Sequence, residues 1–158
     1  MKNKSPEYYF KQLYRDLNKR ERKGKITNLH FTKFVNFPNE KYIWVANHDY
    51  TIGAYPIHYE IRYDSQDRKV YTELHCESEL NLQSNGNVFL NIINTLLLNR
   101  NFLPQYSSIY KTNAWYRLKG DTGVELKSKI ATDILKHLNR IVSLTEGSLV
   151  KEIDKIWS

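Results

Sequence analysis

Two stretches near the middle of the chain constrain its fold more than any other feature. Ile57–Asp64 and Lys69–Glu77 both alternate with the two-residue period of a β-strand, and a short polar segment separates them. Ile57, Tyr59, Ile61 and Tyr63 fall on one side of the first. Val70, Thr72, Leu74 and Cys76 fall on one side of the second. A tight turn at Gln66-Asp67 sets Tyr63 opposite Val70 and Tyr59 opposite Leu74, so the apolar sides coincide. The same register fixes the reverse side. His58 faces His75 and Glu60 faces Glu73, with Arg62 and Tyr71 beside them.

The rest of the pattern extends an α+β reading. Ser5 caps and Pro6 opens a helix over about residues 5–23, with Glu7 at its positive end, Tyr9 or Phe10, Leu13 and Leu17 on its apolar stripe, and Gly24 as its stop. Thr27–Phe37 reads as a strand with Leu29, Phe31, Val35 and Phe37 on one face. Pro38-Asn39-Glu40 is a turn, and Lys41–Asn47 is apolar on both faces, as a central strand is. His48–Pro56 and Ser78–Asn87 read as loops, and Val88–Asn99 as a buried helix. Tyr106–Tyr110 and Trp115–Leu118 read as a second hairpin turning near Thr112-Asn113. A long helix is expected from about Thr122 to Leu144, and Gly147-Ser148 breaks it before a short last helix. The expected order is α-β-β-β-β-α-β-β-α-α. It implies one domain over 1–158, with a mainly antiparallel sheet and helices on one face.

Charge is unevenly placed. The chain of 158 residues carries +7, and six of those charges lie within Met1–Lys25. Lys11, Arg15, Lys19, Arg20, Arg22, Lys23 and Lys25 form a basic stretch suited to phosphate or to an acidic protein face. Part of it also complements the negative end of the helix dipole. The one cysteine excludes an internal disulfide and a cysteine-based zinc site. The start lacks the apolar run of a secretory signal. Val88–Leu98 is too short and too interrupted to cross a bilayer, so a cytoplasmic protein without membrane contact is expected.

Chemical signatures are few. Opposed Glu60 and Glu73 need compensation, which a divalent metal, Arg62 or solvent could each supply. Asp64 or Asp67 ahead of Glu73-Leu74-His75 approximates a nuclease acid pattern, but His stands where Lys is needed. Glu125-Leu126-Lys127 has the triplet, placed at an expected helix start. His48-Asp49 lacks a partnering nucleophile, and Gly120–Gly123 lacks the lysine of a phosphate loop. No catalytic residue, metal ligand set or cofactor is assigned.

Val70-Tyr-Thr-Glu-Leu-His75 and Tyr110-Lys-Thr-Asn-Ala-Trp-Tyr-Arg-Leu118, ahead of a long C-terminal helix, resemble an accessory domain found beside bacterial restriction-type nucleases. The resemblance implies an α+β fold and a setting of nucleic-acid defence, and it carries over no catalytic residue. In size and character the chain is also similar to phage-encoded inhibitors of defence nucleases, anti-CRISPR proteins among them. The expected function is that of a non-catalytic binding protein that modulates a nucleic-acid-handling protein, such as a nuclease or its guide RNA. Contact would run through the basic helix, with His58, Glu60, Arg62, Tyr71, Glu73 and His75 as a second surface. A metal-dependent nuclease using the 57–77 hairpin and an immunity-type, toxin-neutralising protein are the alternatives.

Overall fold

The computed structural model describes residues 4–47, 57–77, 106–111 and 115–157. Helix α1 spans Pro6–Arg22. It is followed by strands β1 (Leu29–Asn36), β2 (Glu40–Asn47), β3 (Ile57–Asp64), β4 (Lys69–Glu77), β5 (Tyr106–Lys111) and β6 (Trp115–Glu125), then helix α2 (Ala131–Trp157). The six strands form one antiparallel sheet in the order β1-β2-β3-β4-β6-β5. The fold is α+β. The expected loops at His48–Pro56 and Ser78–Asn87 and the expected helix at Val88–Asn99 lie outside the described residues. No helix among the described residues is long and apolar enough to cross a membrane.

Local chemistry accounts for α1. The Ser5 side chain accepts from the Tyr8 N–H at 3.2 Å, and Pro6 fills the first helical position. Gly24, at φ +71°, follows the helix and donates to the Glu21 carbonyl at 3.0 Å. Phe10, Leu13 and Leu17 are buried against the sheet. From α2, Ile134, Leu138 and Ile141 join the same core, together with Leu29, Phe31, Ile43, Val45, Tyr59, Ile61, Val70, Leu74 and Leu118. Both helices therefore serve one face. The buried Tyr59 hydroxyl and Thr145 Oγ1 lie 2.7 Å apart and tie β3 to α2.

The β3–β4 register is the one the alternation dictates: Tyr63 opposes Val70, Tyr59 opposes Leu74, Glu60 opposes Glu73 and His58 opposes His75. The turn occupies Ser65–Arg68, with Arg68 at φ +58° and its N–H bonded to the Asp64 carbonyl at 2.8 Å. This four-residue loop preserves the register of a tighter one centred at the same place.

Two expectations are corrected. First, β1 does not alternate throughout. Phe31 pairs with Val45 but Lys33 pairs with Trp44, so Thr32 is a bulge. Beyond it the faces exchange. Phe34 turns to the core, where its ring lies 5.9 Å from Phe10 and 5.7 Å from Tyr14, while Val35 joins the opposite face and Phe37 is exposed. Second, residues 122–125 are strand rather than helix. β6 pairs with β4 as far as Lys69–Glu125, and these ladder bonds outweigh the four-residue recurrence that Leu126 and Ile130 offer to a helix. Leu126 instead packs on the core from the loop ahead of α2. α2 then continues through Gly147 without the expected break, since one glycine costs a helix only about 1 kcal/mol.

The bulge makes a discriminating prediction. Phe34→Ala should lower the urea midpoint more than Val35→Ala or Phe37→Ala, by less than the roughly 3–5 kcal/mol of a fully buried Phe. The reverse order would mean that β1 alternates without interruption.

Candidate functional site

Two regions gather the polar chemistry, one exposed and one buried. The exposed region is built by the last turn of α1. The stripe Phe10-Leu13-Leu17 faces the core, so the remaining positions carry the basic side chains outward in two groups. Lys19, Arg20, Lys23 and Lys25 line a groove of about 490 Å³ with Lys129 and with Ala131 and Thr132 from the start of α2, and Asp16 is its one carboxylate among the described residues. Lys129, at φ +60°, sits on the turn that leads into α2. The helix contributes the positive end of its dipole to the same groove. Arg15 and Arg22 line a separate depression with Tyr14 and Asn18. Lys11 is exposed and engaged by Glu7 at 2.8 Å.

The second region is the sheet face away from the helices. Alternation places three cross-strand rows there. His58, His75 and Arg117 form one; Trp44, Glu60, Glu73 and Lys119 form the next; Tyr42, Arg62, Tyr71 and Asp121 form the third. The expectation of an open second surface is corrected here. His58, Glu60, Arg62, Tyr71, Glu73 and His75 are all buried, with Glu73 at 0% exposure. A groove of about 320 Å³ reaches this cluster at Glu60, His75 and Arg117, beside Trp44, Tyr42 and Glu40.

Partners inside the cluster divide cleanly. Arg62 Nε donates to Glu73 at 2.8 Å, and its Nη1 reaches Glu40 at 3.1 Å and Asp64 at 3.3 Å. Arg117 Nε lies 3.4 Å from Glu73 and donates to His75 Nδ1 at 3.0 Å. Glu73 is thus the carboxylate of the two guanidinium groups. Glu60 belongs to the imidazoles: His58 Nε2 donates to it at 2.8 Å, and His75 Nδ1 lies 3.9 Å away. The His58 ring stacks on Trp44 with 4.1 Å between centroids.

These environments push the two carboxyls apart. Burial opposes ionisation of Glu60, yet the His58 hydrogen bond and the charges of His75, His58 and Arg117 outweigh it and hold its pKa below the ordinary value. At Glu73 burial prevails over the pull of Arg117 and Arg62, and Glu60 adds to it, so that carboxyl lies above the ordinary value. Burial also raises the Tyr42 hydroxyl to about 12, with Glu40 and Glu60 adding to the shift. Arg62 stays charged, because Glu73, Glu40 and Asp64 more than offset its burial.

The acids of the nuclease pattern are already engaged. Asp64 and Glu73 share Arg62, and Asp67 bonds Tyr71 and the Lys69 N–H at the turn. Glu125 closes β6, Leu126 and Lys127 lie in the following loop, and Asp121 pairs with Lys69 at 3.0 Å. His48-Asp49 lies outside the described residues. Sequence reasoning missed Lys129, Glu40 and Arg117. Only the strand order, with β6 beside β4, brings Arg117 to His75, and no local pattern signals it. Comparisons with protein-family models, curated proteins and solved structures found no match for this chain.

Removing one member of a buried pair strands the other. Arg62→Ala should cost about 3–5 kcal/mol in urea unfolding, because it leaves the buried Glu73 carboxylate without its 2.8 Å partner. The Glu60 shift gives a pH signature. Its folded pKa lies below the unfolded one, so its stabilisation is complete above the ordinary carboxylate value and is lost as pH falls through the folded pKa. The stability gap between wild type and Glu60→Gln should therefore shrink in acid. A gap unchanged from neutral pH to the acid transition would contradict this assignment.

Proposed function

We propose that this protein is a non-catalytic binding protein that modulates a nucleic-acid-handling partner, of the defence-nuclease or CRISPR-effector kind, by contacting the phosphate backbone of that partner's nucleic acid. The observation that carries this reading is the groove between the end of α1 and the start of α2, where five cationic side chains meet one carboxylate. Lysine and arginine ammonium and guanidinium groups around a helix N-terminus suit phosphate without reading base sequence. The concentration of charge at this end favours a local contact over a coat of nucleic acid along the whole surface.

The groove also gathers cations beyond those that complement the α1 dipole. Lys19 and Arg20 lie in its last turn, where the dipole is complemented, while Lys23, Lys25 and Lys129 lie beyond the helix and extend the positive region.

The test is charge reversal of Lys19, Arg20, Lys23 and Lys25 to Glu, read by fluorescence anisotropy with labelled duplex DNA and single-stranded RNA across a salt series. Wild type should bind with affinity falling linearly in log salt. On duplex, the slope should decrease by about 0.9 for each phosphate contact removed. Undiminished binding by the reversed variant, or wild-type binding indifferent to salt, would sink the reading.

A further inference from the structure

We propose that His58, Glu60 and His75 form a binding site for a divalent transition metal ion, with zinc as the reference ion. This site is separate from the basic groove and lies on the opposite side of the sheet. Two-residue alternation puts His58 and Glu60 side by side on one face of β3, and the β3–β4 pairing sets His75 directly across from His58. One ligand atom from each of the three residues lies within 4.8 Å of the others. Zinc bonds of about 2.0–2.1 Å place the ligand atoms of a tetrahedral centre about 3.3 Å apart, so binding draws the three side chains together by up to about 1.5 Å.

The donors suit this ion. Two imidazoles and one carboxylate, without thiolate, are a borderline set that matches zinc and its neighbours rather than magnesium or calcium. All three side chains are nine-tenths or more buried. Among the described residues Glu60 Oε2 and His58 Nδ1 are buried without a hydrogen-bond partner. Glu60 lies against the two imidazoles, His58 at 2.8 Å and His75 at 3.9 Å, while Glu73 lies against Arg62 and Arg117.

Two further features support binding over simple burial. The Trp44 ring stacked on His58 fixes one ligand plane in advance. The groove that reaches Glu60 and His75 gives an ion a route in and leaves room for a water or a small ligand at the fourth position. Arg117 is the competitor. It donates to His75 Nδ1, and it has Glu73 at 3.4 Å and Glu40 at 3.6 Å to receive it when the ion takes that nitrogen.

The test uses the full chain. Wild type loaded with zinc and desalted should retain one equivalent by elemental analysis. Cobalt should give the visible absorption of a low-coordinate N/O site, and zinc should raise the melting temperature. His75→Ala and Glu60→Gln should each lose the retained metal and the thermal shift. The exposed pair His30 and Glu21 is the obvious adventitious site, so His30→Ala should keep both. A wild-type chain that retains neither zinc nor cobalt overturns the proposal whether or not the variants fold. So does retained metal that disappears in His30→Ala and persists in Glu60→Gln.

Discussion

The pairing of β3 with β4 governs both faces of the sheet at once. In an antiparallel ladder a slip of one residue moves every side chain to the other face. Here such a slip would carry Tyr59, Ile61, Val70 and Leu74 out of the core and thrust Glu60, Arg62 and Glu73 into the helices' apolar surface. Cross-strand apolar contacts on one side and the Arg62–Glu73 pair on the other therefore enforce the same register. β2 and β6 inherit it, because each is laid against a strand whose facing is already decided.

The two polar regions obey different electrostatics. Under the sheet, charges are removed from water, so each must find a partner and the partners become specific: Glu73 with the guanidinium groups, Glu60 with the imidazoles. At the end of α1 the side chains remain solvated, and like charges can crowd into one groove at small cost because water and salt screen them. The first arrangement fixes geometry and tolerates little change. The second keeps its field and leaves its side chains free to adjust to what they meet.

Much of this was legible in the sequence, for identifiable reasons. α1 declares itself through Ser5, Pro6 and Gly24, which act within a few residues. The central hairpin declares itself because alternation and turn position agree. Where reading failed, the deciding interaction was not local. Thr32 bulges because β1 must fit β2, and nothing in residues 27–37 announces it. Residues 122–125 look helical until β4 supplies a ladder. The sequence correctly set Glu60 against Glu73 but could not tell a solvated face from a buried one, since burial depends on the whole chain. Lys129 and Arg117 join their clusters only through tertiary arrangement.

The bulge in β1 has a consequence beyond the facing of Phe34. Among the described strands β1 lies at one end of the sheet, where one row of its backbone donors and acceptors faces away from β2. A regular outer strand is a template for edge-to-edge aggregation. The irregularity at Thr32 interrupts the repeat that an incoming strand would have to match, and Lys33 places an exposed charge at the same point. The feature that misleads a reading of the strand is thus also what makes it a poor seed for self-association.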